Sequence, residues 1–211
     1  MRISWKSGNT IVADTNSGKI IFDPKKDNLS PDDQKDSNTV LTFSSESLYE
    51  STKGKIIKES KNIFGPGEYE FGKIGLKSLA HGNPETKDES TINNIIIAEC
   101  ENLSICHLGN LSLMLSTSLI AQNISGVDIL LIPLNTSSLN MDEITSLIRS
   151  IDPRVVIPMN YKFSEQTSPE QKLFSSELGV EVEESITRAS LTKSNLNSSD
   201  GLKVIYLKPG V

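Results

Sequence analysis

Ser104-Ile105-Cys106-His107-Leu108-Gly109-Asn110-Leu111 is the stretch on which the reading of this chain turns. Its first half carries Ile105 and Cys106 and suits a strand, and its second half places Gly109 beside the polar Asn110. It therefore reads as a buried strand ending in a sharp turn. The apolar run Asn94-Ile95-Ile96-Ile97-Ala98 precedes it, and the break at Glu101-Asn102 makes the two runs a hairpin. The strand would deliver His107, Gly109 and Asn110 to its carboxyl end. Gly109 supplies backbone freedom there, and the two polar side chains are expected to emerge over the sheet. Taken alone, the octapeptide reads first as a strand end with a satisfied histidine.

Outward from this strand toward the beginning of the chain, the pattern is antiparallel. Arg2 to Trp5, Thr10 to Ala13 and Lys19 to Phe22 read as three short strands. Ser7-Gly8-Asn9 and Asn16-Ser17-Gly18 separate them, and both sets of residues tolerate positive φ. Residues 24 to 38 are polar and read as an exposed loop, and Thr39 to Phe43 is the next strand. Lys55 to Ile57, Asn62 to Phe64, Glu68 to Phe71 and Lys73 to Leu79 read as further β structure punctuated by Gly65-Pro66-Gly67 and Gly72. Glu68 is read as a solvated or turn-bonding strand residue. Residues 82 to 91 read as a loop beside His81.

Toward the end of the chain the rhythm becomes strand and helix in turn. Ser116 to Ile124 reads as a short helix, and Val127 to Leu134 as a strand buried on both faces. A helix follows from Met141, with Asn140 and Glu143 spaced as a capping box and Ile144, Leu147, Ile148 and Ile151 on one face. Asp152-Pro153 ends it, and Val155 to Ile157 is another buried strand. Ser168-Pro169-Glu170-Gln171 opens the next helix, and Gly179 closes it. Strands are expected near Glu181 to Val182 and Leu202 to Leu207, with a loop between them.

The 211 residues carry 21 basic and 27 acidic side chains, a net charge of -6. Clustered cations that would neutralise phosphates are missing, so a nucleic-acid partner is not expected. No apolar run approaches the ~20 residues of a membrane span, and no signal-peptide pattern opens the chain. These features read as a soluble cytoplasmic protein. Cys100 and Cys106 do not form a Cys-x-x-Cys pair and sit on presumptive core strands, where free cysteine acts as a small hydrophobe.

Ile105 to Leu111 resembles the Ile-Cys-His-Leu-Gly-Asp-Leu stretch of small metallo-β-lactamase-fold hydrolases, the zinc-dependent bacterial and archaeal branch, in which the aspartate binds metal. Phe22-Asp23-Pro24, Gly65-Pro66-Gly67-Glu68-Tyr69-Glu70 and Val155-Val156-Ile157-Pro158-Met159-Asn160-Tyr161-Lys162 continue the resemblance in the family's order. It implies an α/β fold, a four-layer αββα sandwich with two facing sheets and outer helices, formed as a single domain over residues 1–211.

The same resemblance locates the metal-binding positions and shows how this chain departs from them. In the family a strand ends in Thr-His-x-His-x-Asp-His; here the residues are Thr42, Phe43, Ser44, Ser45, Glu46, Ser47 and Leu48. The remaining ligand positions carry His81, Asn110 and Asn160. Zinc needs about three histidine, cysteine or carboxylate ligands, and only His81 is one. No metal, no other cofactor and no catalytic residue is therefore expected. A Cys106/His107 dyad is disfavoured because successive strand side chains point to opposite faces. A serine nucleophile at Ser45 or Ser47 with His81 as base lacks any nucleophile-elbow motif. The expectation is a catalytically degenerate member of the fold that binds a small polar ligand, or serves as a scaffold, through Ser45, Ser47, His81, Asn110 and Asn160. The alternative is a hydrolase of the same superfamily with an altered or weakly held metal.

Overall fold

Most central strands of this chain are buried along consecutive positions, and two sheets result whose inner faces share one hydrophobic cluster. The computed structural model describes residues 1–35, 37–57, 60–82, 92–136, 138–197 and 201–210. Three strands open it, β1 (Arg2–Ser7), β2 (Thr10–Thr15) and β3 (Gly18–Phe22), as an antiparallel meander. A short helix follows, α1 (Pro31–Gln34), capped by Ser30 and Asp33, inside a stretch read as loop; Leu29 and Gln34 in that stretch are buried. Next come β4 (Thr39–Thr42), α2 (Glu46–Thr52) and a 3-10 turn at Lys53–Lys55 where part of a strand was expected. β5 (Lys61–Ile63) then ends the first half.

The second half begins with β6 (Gly67–Phe71), β7 (Ile74–His81), β8 (Asn93–Cys100) and β9 (Leu103–His107), all paired antiparallel. Glu101 and Asn102 make the hairpin turn with φ of 55° and 60°. The expected loop at 82 to 91 falls almost wholly outside the described residues. α3 (Thr117–Leu119) runs into a π-helical turn at Ile120–Ile124. β10 (Ile129–Pro133), α4 (Met141–Ile151), β11 (Val155–Met159) and α5 (Pro169–Leu178) form the strand-and-helix portion. Both expected capping boxes are present, at Asn140 with Glu143 and at Ser168 with Gln171. Gly179 closes α5 at φ 71°.

The last part differs from the expectation. Residues 181–182 are not a strand; the elements are β12 (Ala189–Ser190), α6 (Lys193–Asn197) and β13 (Lys203–Val204). A two-residue strand has no periodicity to read, because its register is set by a partner elsewhere in the chain.

Strand order is β12-β1-β2-β3-β4-β5 in one sheet and β13-β11-β10-β9-β8-β7-β6 in the other. Both are mixed: β3, β4 and β5 run parallel, as do β9, β10, β11 and β13. Ile11, Ile20, Phe22 and Val40 from the first sheet and Ile96, Ile105, Ile129 and Ile157 from the second belong to the shared core. Each such side chain is worth ~1.5–3 kcal/mol when fully buried. Val12, Ile21, Leu29, Leu41 and Phe43 form a second cluster on the opposite face of the first sheet, against Leu48 and Tyr49 of α2. Ile144, Leu147, Ile148 and Phe174 bring α4 and α5 onto the outer face of the second sheet. The layers are therefore helix, sheet, sheet, helix.

Candidate functional site

Topology collects the candidate residues at one end of the sandwich. β7, β9, β10 and β11 all point the same way, because β8 is antiparallel to both β7 and β9. Their carboxyl ends carry His81, Asn110 and Asn160. The carboxyl end of β4 reaches that same end, since the Asn94 N–H at the start of β8 donates to the Ser44 carbonyl at 2.6 Å. Phe43, Ser45, Ser47 and Leu48 follow directly from β4.

The side chains do not act as one group. Ser45 caps α2, accepting from the Leu48 N–H at 3.3 Å, and its Oγ lies 3.1 Å from Ser47 Oγ. Phe43 is fully buried on the outer face beneath α2, edge-on to Tyr49 at 5.3 Å, and Leu48 packs against the same cluster. Tyr49 in turn stacks on the exposed Phe64. His81 Nε2 is 3.1 Å from the Leu113 carbonyl. Asn110 is exposed and donates its backbone N–H to Asn93 Oδ1. Asn160, in the left-handed region at φ 54°, donates its backbone N–H to the Gly8 carbonyl and its side-chain amide to the Asn135 carbonyl at 2.8 Å. Three strands separate β7 from β11, so His81 and Asn160 stand roughly 19 Å apart along the sheet at the usual strand spacing. Among the described residues, no hydrogen bond joins His81, Asn110 and Asn160 to one another.

Between these residues the sheets are joined by a buried polar centre that the sequence reading passed over. Asp23 holds φ 46° just after β3 and is buried. Its carboxylate accepts from the Ser44 N–H at 2.6 Å and the Ser44 hydroxyl at 2.7 Å. Burial pushes the Asp23 carboxyl above its ordinary pKa, against the opposing effects of His107 and Ser44. His107 does not emerge over the sheet as expected. It points between the sheets, fully buried, and stacks on Phe22 at 5.1 Å. The reason is its register beside Ile96 and Leu131, which sets it on the inner face. The Gly109 N–H donates to His107 Nδ1, so the ring proton belongs on Nε2, which donates to the Asn9 carbonyl at 2.9 Å. Burial lowers the imidazole pKa, with Asp23 and the Asn9 contact opposing.

Gly109 is a point of close approach between the two halves. A Cβ built there would fall 2.4 Å from both Ser44 Cβ and Asn93 Oδ1, and φ is 62°. The Asn93 amide fastens the same corner, donating to the Leu108 carbonyl and accepting from the Asn110 N–H. The signal that was available for this centre is Phe22-Asp23-Pro24, an aspartate poised between a core aromatic and a proline.

These residues do not suit a zinc ion. The positions that would supply basic nitrogen or carboxylate hold a core phenylalanine, a helix-capping serine and two neutral amides, of which that of Asn160 is engaged with a backbone carbonyl. Among the described residues, no group of three histidine, cysteine or acidic side chains is placed to hold a metal. Thiol chemistry is equally unsupported. Burial raises the pKa of both cysteines, Cys100 to about 11, and Cys106 faces away from His107 in the strand.

The sequence profile of the Beta-lactamase superfamily domain matches residues 2–160, and the chain belongs to this family. No curated protein matches it. Among solved structures it is similar to a protein from Thermotoga maritima described as a zinc-dependent hydrolase of the metallo-β-lactamase superfamily. That likeness has a TM-score of 0.74 at 19% identity and covers 98% of this chain and 99% of that one. A protein from Parabacteroides distasonis described as a metal-dependent hydrolase gives 0.66 at 10% identity over 99% and 93% of the two chains. A metallo hydrolase from the archaeon Ignicoccus hospitalis gives 0.62 at 13% identity over 100% and 96%. At these identities the likeness establishes the metallo-β-lactamase fold. No described helix is long and apolar enough to cross a membrane.

Proposed function

We propose that this chain, acting as a single domain in the cytoplasm, is a non-catalytic member of the metallo-β-lactamase fold. It serves as a binding or scaffold protein through the polar end of its sandwich. Ser45, Ser47, His81, Asn110 and Asn160 offer hydrogen-bonding groups spread along that end, so a small polar ligand would engage a subset of them, and the set is not suited to a divalent metal. One observation carries the reading. Phe43 and Ser45, at the two leading histidine positions of the family motif, are committed to other tasks, one in a core cluster and one as a helix cap. Substituting a metal ligand would remove those supports as well as add a donor.

A second reading, a hydrolase with an unusual or weakly held metal, is favoured by the retained His81 and by the descriptions given to the similar structures. Elemental analysis of protein purified without chelators, followed by zinc calorimetry, separates the two. The non-catalytic reading expects no stoichiometric zinc. Micromolar or tighter stoichiometric zinc, lost in His81→Ala, would overturn the non-catalytic reading and favour the hydrolase.

A further inference from the structure

Five buried side-chain oxygens have no hydrogen-bond partner among the described residues, on Asn9, Thr42, Asn62, Ser78 and Asn94, and Thr42 Oγ1, Ser78 Oγ and Asn94 Oδ1 belong to strand residues of the two facing sheets. Those three residues are 0%, 2% and 4% exposed. A polar group buried in this way is costly unless something bonds to it.

All three face the inter-sheet space at the same end. Thr42 shares the inner face of β4 with Val40, which is in the shared core, whereas Leu41 and Phe43 point outward. In the second sheet Ser78 pairs with Ile96, Ala80 with Asn94, and Ile96 with the inward-facing His107. Ser78 and Asn94 are thus diagonal neighbours on one face, about 7–8 Å apart, a separation that these short side chains would span through a small guest between them. Across the gap, the Ser44 carbonyl takes the Asn94 N–H at 2.6 Å, and Thr42 lies two residues before Ser44 on the same face. Ala80, on that face and nearest the sandwich end, is exposed.

We infer that Thr42, Ser78 and Asn94 form an internal binding site for a small uncharged O–H donor, entered beside Ala80. Asn94 Oδ1 can only accept, whereas the two hydroxyls can donate or accept, so a hydroxyl-bearing molecule satisfies all three. The oxygens are neutral, which suits a neutral guest. Water and a small alcohol share this chemistry. The site lies behind the surface residues of the proposed ligand pocket and does not depend on them.

The test turns on a sign. With a guest bound, Thr42→Val removes one of its partners and lowers the urea midpoint; with nothing bound, the same change removes an orphaned hydroxyl and raises it. Ser78→Ala is expected to act in the same direction. Water-to-protein NMR cross-relaxation at the Thr42 methyl and Asn94 amide protons is the second measurement. A long-lived water signal in the native chain, lost in the Thr42→Val/Ser78→Ala double variant, is expected. Methanol titration distinguishes the guests: shifts confined to these residues and abolished in Ala80→Leu identify an exchangeable alcohol, and unchanged spectra identify water alone. A raised midpoint in Thr42→Val with no long-lived water would overturn the inference. So would stabilisation by potassium chloride beyond that of tetramethylammonium chloride at equal ionic strength, since the guest would then be a cation.

Discussion

Two aspartates are buried among the described residues, one at each end of the sandwich, and they are kept in opposite ways. Asp128, just before β10, lies within reach of Lys193 at 2.8 Å and Arg154 at 3.6 Å, and accepts from the Ser104 N–H. Asp23, at the other end, has no cation in contact and is held by the backbone and hydroxyl of one serine. Both cations on Asp128 are about half exposed, so they keep much of their hydration while cancelling its charge. Asp23 makes no ion pair among the described residues and feels Lys25 only as the smallest of the influences on it, and its neighbour His107 is itself driven toward the neutral form. A carboxylate at the site end is therefore tolerated through neutral donors. The far end uses ordinary ion pairing to tie α6 to the sheet.

The strongest way to break the site end is Gly109→Ala. The added methyl meets Ser44 and Asn93 at 2.4 Å, in a backbone conformation that alanine resists. The expected loss is roughly 2–4 kcal/mol, combining left-handed strain with overpacking. Urea denaturation measures it, and a change of a few tenths would show that the corner can open without cost.

The comparison sharpens with Asp23→Asn, which keeps the size and can keep both Ser44 bonds. Because the folded pKa of Asp23 is raised, its contribution is fully present below the unfolded value near 3.8 and is lost as pH rises through the folded one. Asparagine has no such loss, so the variant should gain on the native chain as pH rises above 4, by at most about 1.4 kcal/mol per pH unit. Urea midpoints of both chains at several pH values between 4 and 8 test this; parallel curves would mean Asp23 titrates normally.

His107 acts with the opposite sign. Its folded pKa is lowered, so below about 6.5 the unfolded chain takes a proton that the folded one refuses, and stability falls as pH falls. In the native chain this partly cancels against Asp23. Asp23→Asn should therefore uncover a steeper acid destabilisation below pH 6.5, and adding His107→Gln should flatten it. The pH profile of the double variant is the check.

The smallest effect is expected at the other end. Lys193→Ala leaves Asp128 its Ser104 bonds and Arg154, and Lys193 is 44% exposed. After allowance for solvent screening the loss is about 0.5–1 kcal/mol. It should shrink in about 0.5 M salt, where charges are screened over a few ångströms. A salt-independent loss would mean the lysine acts through packing.

What could be read from the sequence divides by distance along the chain. Asn140 with Glu143, Ser168 with Gln171, and Gly179 were legible because each cap is made within a few residues. Turns such as Glu101-Asn102 were legible for the same reason. The fold came from ordered motifs, not from periodicity. The direction of His107 was missed because strand alternation alone does not say which face is inner. Asp23, Ser44 and Asn94 meet across 21 to 71 residues of chain, and no local pattern announces such a meeting. Lys55 to Ile57 looked like a strand from its apolar pair, yet Gly54 beside it favours the tight turn that forms. Of the candidate pocket, the ligand positions were legible as substitutions, but the tasks that Phe43 and Ser45 had taken up were not.

The pairing of β1 with β12 carries a kinetic consequence. Arg2 and Ile3 lie against Ser190 and Ala189, so the outer edge of the first sheet is closed by residues almost at the opposite end of the chain. Closing such a loop is slow, and contacts of this span lower folding rates. During synthesis at about 5–20 residues per second, β1 would wait roughly ten seconds or more for its last neighbour to emerge. For that interval β1 has β2 on one side and an open outer edge on the other, a natural point for a chaperone to hold the nascent chain.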